Sequence, residues 1–327
     1  MKVLVTGGTG FLGKALALRL LLEGHQVTTV GRNEVVGKEL GRLGIRFIKA
    51  DLADELAIVE TCRGQDYVFH CAALASPWGR YQEFYNSNVL GTKHVVLGCQ
   101  CYNVRRMVHV STPSIYMEWR DRQQIKENEV LPEKSINTYA KTKRLAENIV
   151  DDAWRKGLPV ITIRPRGIFG PGDHTIFPRL IRANDSKGIP DFGKSVITDI
   201  TYIDNVVDAL LLCIAAPETS VGKKYNITNG EPIRLQTLLE ELFEKFRYPL
   251  RFRRVPFSLA YCAAALAELY AVLPWGGEPE ITRYGLGVLY YSQTLDITAA
   301  RRELGYDPRI SISEGIGQFA DWWRKKF

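Results

Sequence analysis

The chain has 327 residues, 46% of them apolar, enough for one large domain or two modest ones with a buried core. Its 43 Lys plus Arg against 36 Asp plus Glu leave a net charge of +7, mild for this length and suited to a phosphate-bearing ligand or an anionic surface. With no dense basic run beyond Arg324, Lys325 and Lys326, a nucleic-acid partner is not expected, and six cysteines (62, 71, 99, 101, 213, 262) without a CxxC pair argue against a metal site and for free thiols in a reducing cytoplasm.

The opening MKVLVTGG runs straight into a β-branched strand at 2–6, without the apolar core of a signal peptide, which adds to the expectation of a cytoplasmic protein. TGGTGFLG follows that strand and opens a helical pattern over 11–23 that stops at Gly24. Gly8, Gly10 and Gly13 satisfy G-x-G-x-x-G, and Gly7, Gly10 and Gly13 read as G-x-x-G-x-x-G. Glycines there allow a tight turn, close approach of backbone to a pyrophosphate and packing of helix on strand, while the helix N-terminus offers N–H donors and partial positive charge. The strand–loop–helix context predicts a dinucleotide site.

The next strand, 26–30, ends at Gly31 and Arg32. A carboxylate at this strand end would hold a ribose 2′-hydroxyl; a guanidinium instead suits a 2′-phosphate, so NADP(H) is favoured over NAD(H). Asp51 and Leu52, after the strand at 45–49, are placed to bond and cover the adenine. Beyond the strand at 66–71 come Trp78, Tyr81, Phe84 and Tyr85, which read either as one wall of an apolar cleft or as a helix stripe, Trp78 being the best cleft candidate. The five histidines form no ligand or triad pattern.

A helix is expected over 88–104, then a strand at 106–111 that ends in VSTPSIY and brings Ser111 and Thr112 to the sheet edge where ligands bind. The helix at 136–156 carries Tyr139 and Lys143 at i and i+4, hence on one face. A free phenol has a pKa near ~10; a nearby ammonium and an oxidised nicotinamide would favour the phenolate, fitting Tyr139 as general acid and base. Thr112 would orient the substrate oxygen, with Ser111 the fallback, and Lys143 would also hold the nicotinamide ribose. A further strand lies at 159–164.

Strands alternating with helices predict an α/β protein, a Rossmann-type doubly wound parallel sheet with a smaller interleaved C-terminal substrate domain. The dinucleotide-binding part is expected to span 1–170 with a return segment at about 196–216, and the substrate part 171–195 and 217–327. Within the latter, PFSLAYCAAALAELYAVLP at 256–274 has one charge, Glu268, and is too short and interrupted for a membrane span. It reads as a buried or lid helix, or as an interfacial one in peripheral contact with a membrane.

TGGTGFLG, "DL" at 51, "AA" at 72, "NVLGT" at 88, VSTPSIY at 111, "YAKTK" at 139, RPRGIFGPGD at 164 and TYIDNV at 201 together resemble the extended short-chain dehydrogenase/reductases, the NAD(P)-dependent epimerase/dehydratase superfamily. The likeness covers nearly the whole chain. It implies cofactor contacts from Gly7, Gly8, Thr9, Gly10, Phe11, Leu12, Gly13, Arg32, Asn33, Asp51, Leu52, Ala72, Ala73, Lys143, Pro165 and Ile168, and substrate contacts from Trp78, Ser114 and Gly167. It also implies a homodimer paired through the helices at 88–104 and 136–156. Where sugar-nucleotide 4,6-dehydratases carry Asp-Glu, this chain has Pro113-Ser114; where sugar-nucleotide enzymes commonly have Asn after the "RP" element, it has Gly167. A diphosphate would lack partners. The chain is instead similar to the 3β-hydroxysteroid dehydrogenase-like branch, which includes 2-alkyl-3-oxoalkanoate reductases. The resemblance thus implies a secondary alcohol or ketone on an apolar, long-chain 3-oxoacyl or steroid-like substrate. A sugar-nucleotide epimerase with tightly held NAD, and a non-catalytic cofactor sensor, are the alternatives.

Overall fold

The computed structural model describes residues 1–273, 275 and 277–326. Seven parallel strands form the main sheet: β1 (Lys2–Thr6), β2 (Gln26–Gly31), β3 (Arg46–Lys49), β4 (Tyr67–His70), β5 (Arg106–Val110), β6 (Val160–Pro165) and β7 (Lys224–Ile227). Their spatial order is β7-β6-β5-β4-β1-β2-β3. The chain thus reverses direction across the sheet between β1 and β4, which opens a crevice at the strands' C-terminal ends.

Period-two alternation sends successive side chains to opposite faces. Val3 and Val5 join Phe69, Val108 and Ile161 in one core, covered by the helices Phe11–Leu22 and Ile203–Ala215 through Leu16, Leu20, Val206 and Leu210. Leu4, Val68, Met107 and Val160 face the other way, under Ile58, Val95, Cys99 and Val150 of the helices Glu55–Thr61, Gly91–Cys101 and Thr138–Arg155. The first six strands match their predicted positions closely.

Three features differ from the sequence reading. The helix expected over 88–104 begins earlier, at Tyr81, and passes through a π-turn at Tyr85–Leu90 before Gly91–Cys101. In that turn the buried Asn88 accepts a bond from Leu74 N (2.7 Å) and donates to Thr142 Oγ1 (3.1 Å), pinning the loop after β4 to the helix that carries Tyr139. Phe84 is 1% exposed and belongs to the core, so the helix-stripe reading holds for it. Second, Lys224–Ile227, placed with the substrate part, pairs with β6 and completes the main sheet. Third, the return segment divides. Ile197–Thr198 joins Arg122–Ile125, Ile233–Arg234 and Gln293–Leu295 in a smaller four-stranded sheet, whereas Ile203–Ala215 packs against the main one.

Among the described residues no helix is long and apolar enough to cross a membrane. The helix Phe257–Ala271 is inverted relative to a water-facing helix. Leu259, Leu266, Leu269 and Tyr270 are each more than half exposed, while Glu268 is buried and bonds Arg283 Nε at 2.6 Å. The last residue of the apolar stretch, Pro274, lies outside the described residues.

Candidate active site

The glycine turn is built for a close-lying ligand. Gly7 has φ +71°, and a Cβ on it would lie 2.8 Å from Ala72 Cα; one on Gly13 would lie 2.2 Å from Gly7 O. Helix and strand therefore touch through backbone. Gly10, the helix N-cap, supplies no side-chain cap, and beyond Gly7 O nothing lies within 4 Å of where its Cβ would be. The outer side of the turn, with the first-turn N–H groups of Phe11, Leu12 and Gly13, is open to an anion. These residues fit the pyrophosphate of a nicotinamide dinucleotide.

At the adenosine end, a Cβ on Gly31 would lie 2.3 Å from Thr9 Oγ1, so Thr9 closes the position where an acid would stand. Arg32 is exposed, its guanidinium 3.5 Å from the Asp51 carboxylate. Asn33 spends its side-chain oxygen on capping Glu34–Arg42, through Val35 N and Val36 N, so a cofactor contact from it falls to the backbone or the amide nitrogen. Leu52 packs on Gly91, and Ala72 N donates to Thr6 Oγ1. Ala72 and Ala73 follow β4, and Pro165, Gly167 and Ile168 stand at and just past the end of β6.

The helix Thr138–Arg155 starts at Asn137, whose side chain accepts from Ala140 N. Its i, i+4, i+8 row aims Tyr139, Lys143 and Glu147 at the sheet. Glu147 meets Arg164 in a two-pronged buried pair, 2.9 and 2.6 Å, and Arg164 also bonds Tyr116. This pair anchors the helix. Ser111 Oγ has no hydrogen bond of ordinary geometry, yet it lies near enough to Glu147 to help hold that carboxyl low. Ser111 therefore faces the anchor, and Thr112 faces the phenol.

Lys143 is 1% exposed, and its Nζ donates to Val110 O at 2.8 Å. Burial lowers its pKa to about 8, with Glu147 and Cys71 opposing. The partly buried Tyr139 phenol goes the opposite way from the sequence expectation. Burial pushes it up to about 12, the Thr112 hydroxyl pulls down, and Tyr284 pushes up. The Lys143 ammonium is turned to the Val110 carbonyl, and burial is the dominant influence on the phenol. The protein alone keeps the phenol protonated, as a proton donor.

Tyr284 is a site residue that sequence reasoning missed. It comes from the helix Arg283–Tyr290, capped by Thr282 Oγ1. Its hydroxyl lies 2.8 Å from Ser114 Oγ, which accepts from Thr112 Oγ1 at 3.1 Å. Thr112, Ser114 and Tyr284 thus form a hydroxyl chain beside Tyr139. The sequence signal was the tyrosine in ITRYGLG; nothing in its spacing tied it to the site. Trp78 sits partly buried in the loop after β4, with Ser76 Oγ bonding its backbone N–H. Aromatic rings gather on the C-terminal side, with Phe257 stacked on Tyr290 at 3.9 Å and Trp119 edge-on to Tyr261 at 5.5 Å and Tyr291 at 6.2 Å. Among the described residues no cluster of His, Cys, Asp or Glu could hold a metal ion.

Residues 3–228 match the model of the NAD dependent epimerase/dehydratase family. A 2-alkyl-3-oxoalkanoate reductase of Stenotrophomonas maltophilia is 36% identical over 325 residues, 97% of each chain. A ketoreductase of Stigmatella aurantiaca, named for 4-hydroxy-2-methyl-3-oxo-4-farnesyl-3,4-dihydroquinoline-1-oxide, is 33% identical over 97% of this chain and 95% of its own. Among solved structures, UDP-glucuronic acid 4-epimerase of Bacillus cereus with NAD superposes over 100% of both chains, with TM-score 0.79 and 21% identity; that likeness shows the fold.

Proposed function

Because the chain belongs to the NAD dependent epimerase/dehydratase family and is an NAD(P)-dependent oxidoreductase, we propose that it interconverts a ketone and a secondary alcohol on an apolar substrate, a long-chain 3-oxoacyl or steroid-like compound, with NADP(H) as the favoured cofactor. The observation that carries this reading is Tyr139, held protonated beside the Thr112–Ser114–Tyr284 hydroxyl chain at the edge of an aromatic cluster.

The bound nicotinamide supplies or takes the hydride. In reduction, Thr112 orients the carbonyl oxygen and Tyr139 gives it a proton as negative charge develops there. A phenol that keeps its proton at neutral pH suits this direction. Lys143 positions the cofactor's ribose and lends positive potential beneath the site. Arg32, freed from the exposed Asp51, reaches a 2′-phosphate. The apolar substrate is supported by the aromatic wall and by the two relatives, whose names specify an alkyl-bearing oxo acid and a farnesyl-bearing ketone.

This reading includes a homodimer joined through Gly91–Cys101 and Thr138–Arg155. It also includes contact of Phe257–Ala271 with an anionic lipid surface. Its outward leucines meet the acyl region, and the exposed Arg251, Arg253 and Arg254 just before it meet the headgroups. The test of the chemistry is to supply NADPH with a 3-oxo substrate and follow both nucleotide and product. Alcohol formed with equimolar NADP+ release supports it; UDP-sugar epimerisation without net redox overturns it.

A further inference from the structure

His94 is a buried histidine, 6% exposed, that the hydride chemistry does not use. It stands on the helix Gly91–Cys101, beside the loop of residues 51–54. That loop follows β3, the edge strand of the main sheet, so no strand lies beyond it to pair with. Within itself it makes a small turn: Ala53 N donates to Asp51 Oδ1 at 3.0 Å, and Asp54 N to Asp51 O at 3.0 Å. Two contacts tie it to the helix. A Cβ on Gly91 would lie 2.7 Å from Leu52 Cβ, so the Leu52 side chain rests on backbone there. Three residues on, hence on the same helix face, His94 Nδ1 donates to Leu52 O at 2.8 Å. A carbonyl only accepts, so Nδ1 is the nitrogen that carries the proton. Nε2 faces the Glu55 carboxylate at 3.4 Å; with Glu55 largely in solvent, that pairing contributes little. The shielded bond to Leu52 O is the one that fixes the loop.

We propose that His94 is a positioning residue for the cofactor: from behind, it holds residues 51–54 in the conformation that receives the adenosine half. This rests on the dinucleotide reading above, with Asp51 and Leu52 at the adenine, and adds a residue that touches no ligand itself. Leu52 can cover a flat ring, and Asp51 can bond its edge, only if the backbone between them is already set. A loop free to wander must be ordered by the ligand, and that ordering is subtracted from the affinity. His94 supplies the order beforehand. Adenine is common to NADPH and NADH, so His94 serves both alike. That separates it from Arg32, whose guanidinium concerns the 2′-phosphate alone.

The experiment measures, by calorimetry on the full chain, the binding of NADPH, NADH, adenosine 2′,5′-bisphosphate and nicotinamide mononucleotide. His94→Ala should weaken NADPH, NADH and the bisphosphate by ~10-fold each, the scale of one buried hydrogen bond lost, and leave the mononucleotide within ~2-fold. His94→Asn, whose side-chain N–H stands close to the place of Nδ1–H, should recover most of the affinity. Hydrogen–deuterium exchange of the ligand-free His94→Ala protein should speed up in peptides spanning residues 50–57 and stay unchanged in β1 and β4. Faster exchange across the whole sheet, or a loss of mononucleotide binding equal to that of the bisphosphate, would show that His94 serves the fold and overturn the proposal. Undiminished binding of the bisphosphate by His94→Ala would overturn it as well. Failure of the wild type to bind either dinucleotide removes the cofactor reading itself, and this role of His94 with it.

Discussion

At residue scale, Tyr139 and Lys143 show what spacing reveals and what it hides. Their common face was legible from i, i+4 alone. Their titration was not: burial lowers Lys143 and raises Tyr139, and the sequence-distant Tyr284 adds to the rise of the phenol. Tyr139→Phe should cut turnover by ~10² to 10⁴ while leaving NADPH affinity near normal, since it removes one proton and little volume. Retention of more than half the wild-type rate would take the phenol out of the reaction. Lys143 gives a pH signature. Its folded pKa, about 8, lies below its ordinary 10.5, so between those values the unfolded chain holds the proton that the folded chain has lost. Stability from this group therefore rises with pH across that window, by about 3 kcal/mol in all. Lys143→Met should be more stable than wild type at pH 7, with the gap closing toward pH 10.5 in urea titrations, and should bind NADPH poorly. A gap independent of pH would mean that folding leaves the lysine's pKa unshifted, against the lowering to about 8. Arg32→Ala should weaken NADPH far more than NADH in fluorescence titrations; equal changes would show that Arg32 does not read the 2′-phosphate.

At element scale, the phosphate turn was readable because glycine is demanded by contact: a Cβ on Gly13 would lie 2.2 Å from Gly7 O. Gly13→Val should abolish cofactor binding measured by quenching of protein fluorescence, and undiminished binding would contradict the packing described. β7 was not readable. It is short, is separated by eight residues from the helix Ile203–Ala215, and its pairing with β6 depends on tertiary contact. The π-turn was equally hidden, since one extra residue in a helix leaves the apolar pattern nearly intact; its trace was Asn88, a polar residue buried where a helix stripe predicts apolar ones. The inverted helix Phe257–Ala271 has a direct assay. The protein should float with vesicles containing phosphatidylglycerol and stay behind with pure phosphatidylcholine, and Leu266→Glu/Leu269→Glu should abolish flotation without loss of activity on a short substrate. Equal recovery of the double variant with the vesicles would remove the lipid contact.

At the scale of the whole molecule, two layers of helices around a parallel sheet followed from the alternation of strand and helix patterns. The closing of the crevice by the C-terminal lobe did not. Ser114 to Tyr284, Asp199 to Leu295 and Arg166 beside Gln293 join segments far apart in sequence, and no local pattern announces them. The shared helix face of Tyr139 and Lys143 was therefore legible, and the contacts that bring the C-terminal segments to Ser114 and Asp199 were not. The most direct measurement of the central claim is a single reaction series: purified protein, NADPH and 3-oxo substrates of increasing chain length, with NADP+ and alcohol quantified together. Each buried methylene contributes about 0.8 kcal/mol, so four more carbons should raise kcat/KM by on the order of 100-fold, with one NADP+ per alcohol. A flat response to chain length, with no NADP+ released and a UDP-sugar turned over instead, would contradict the account.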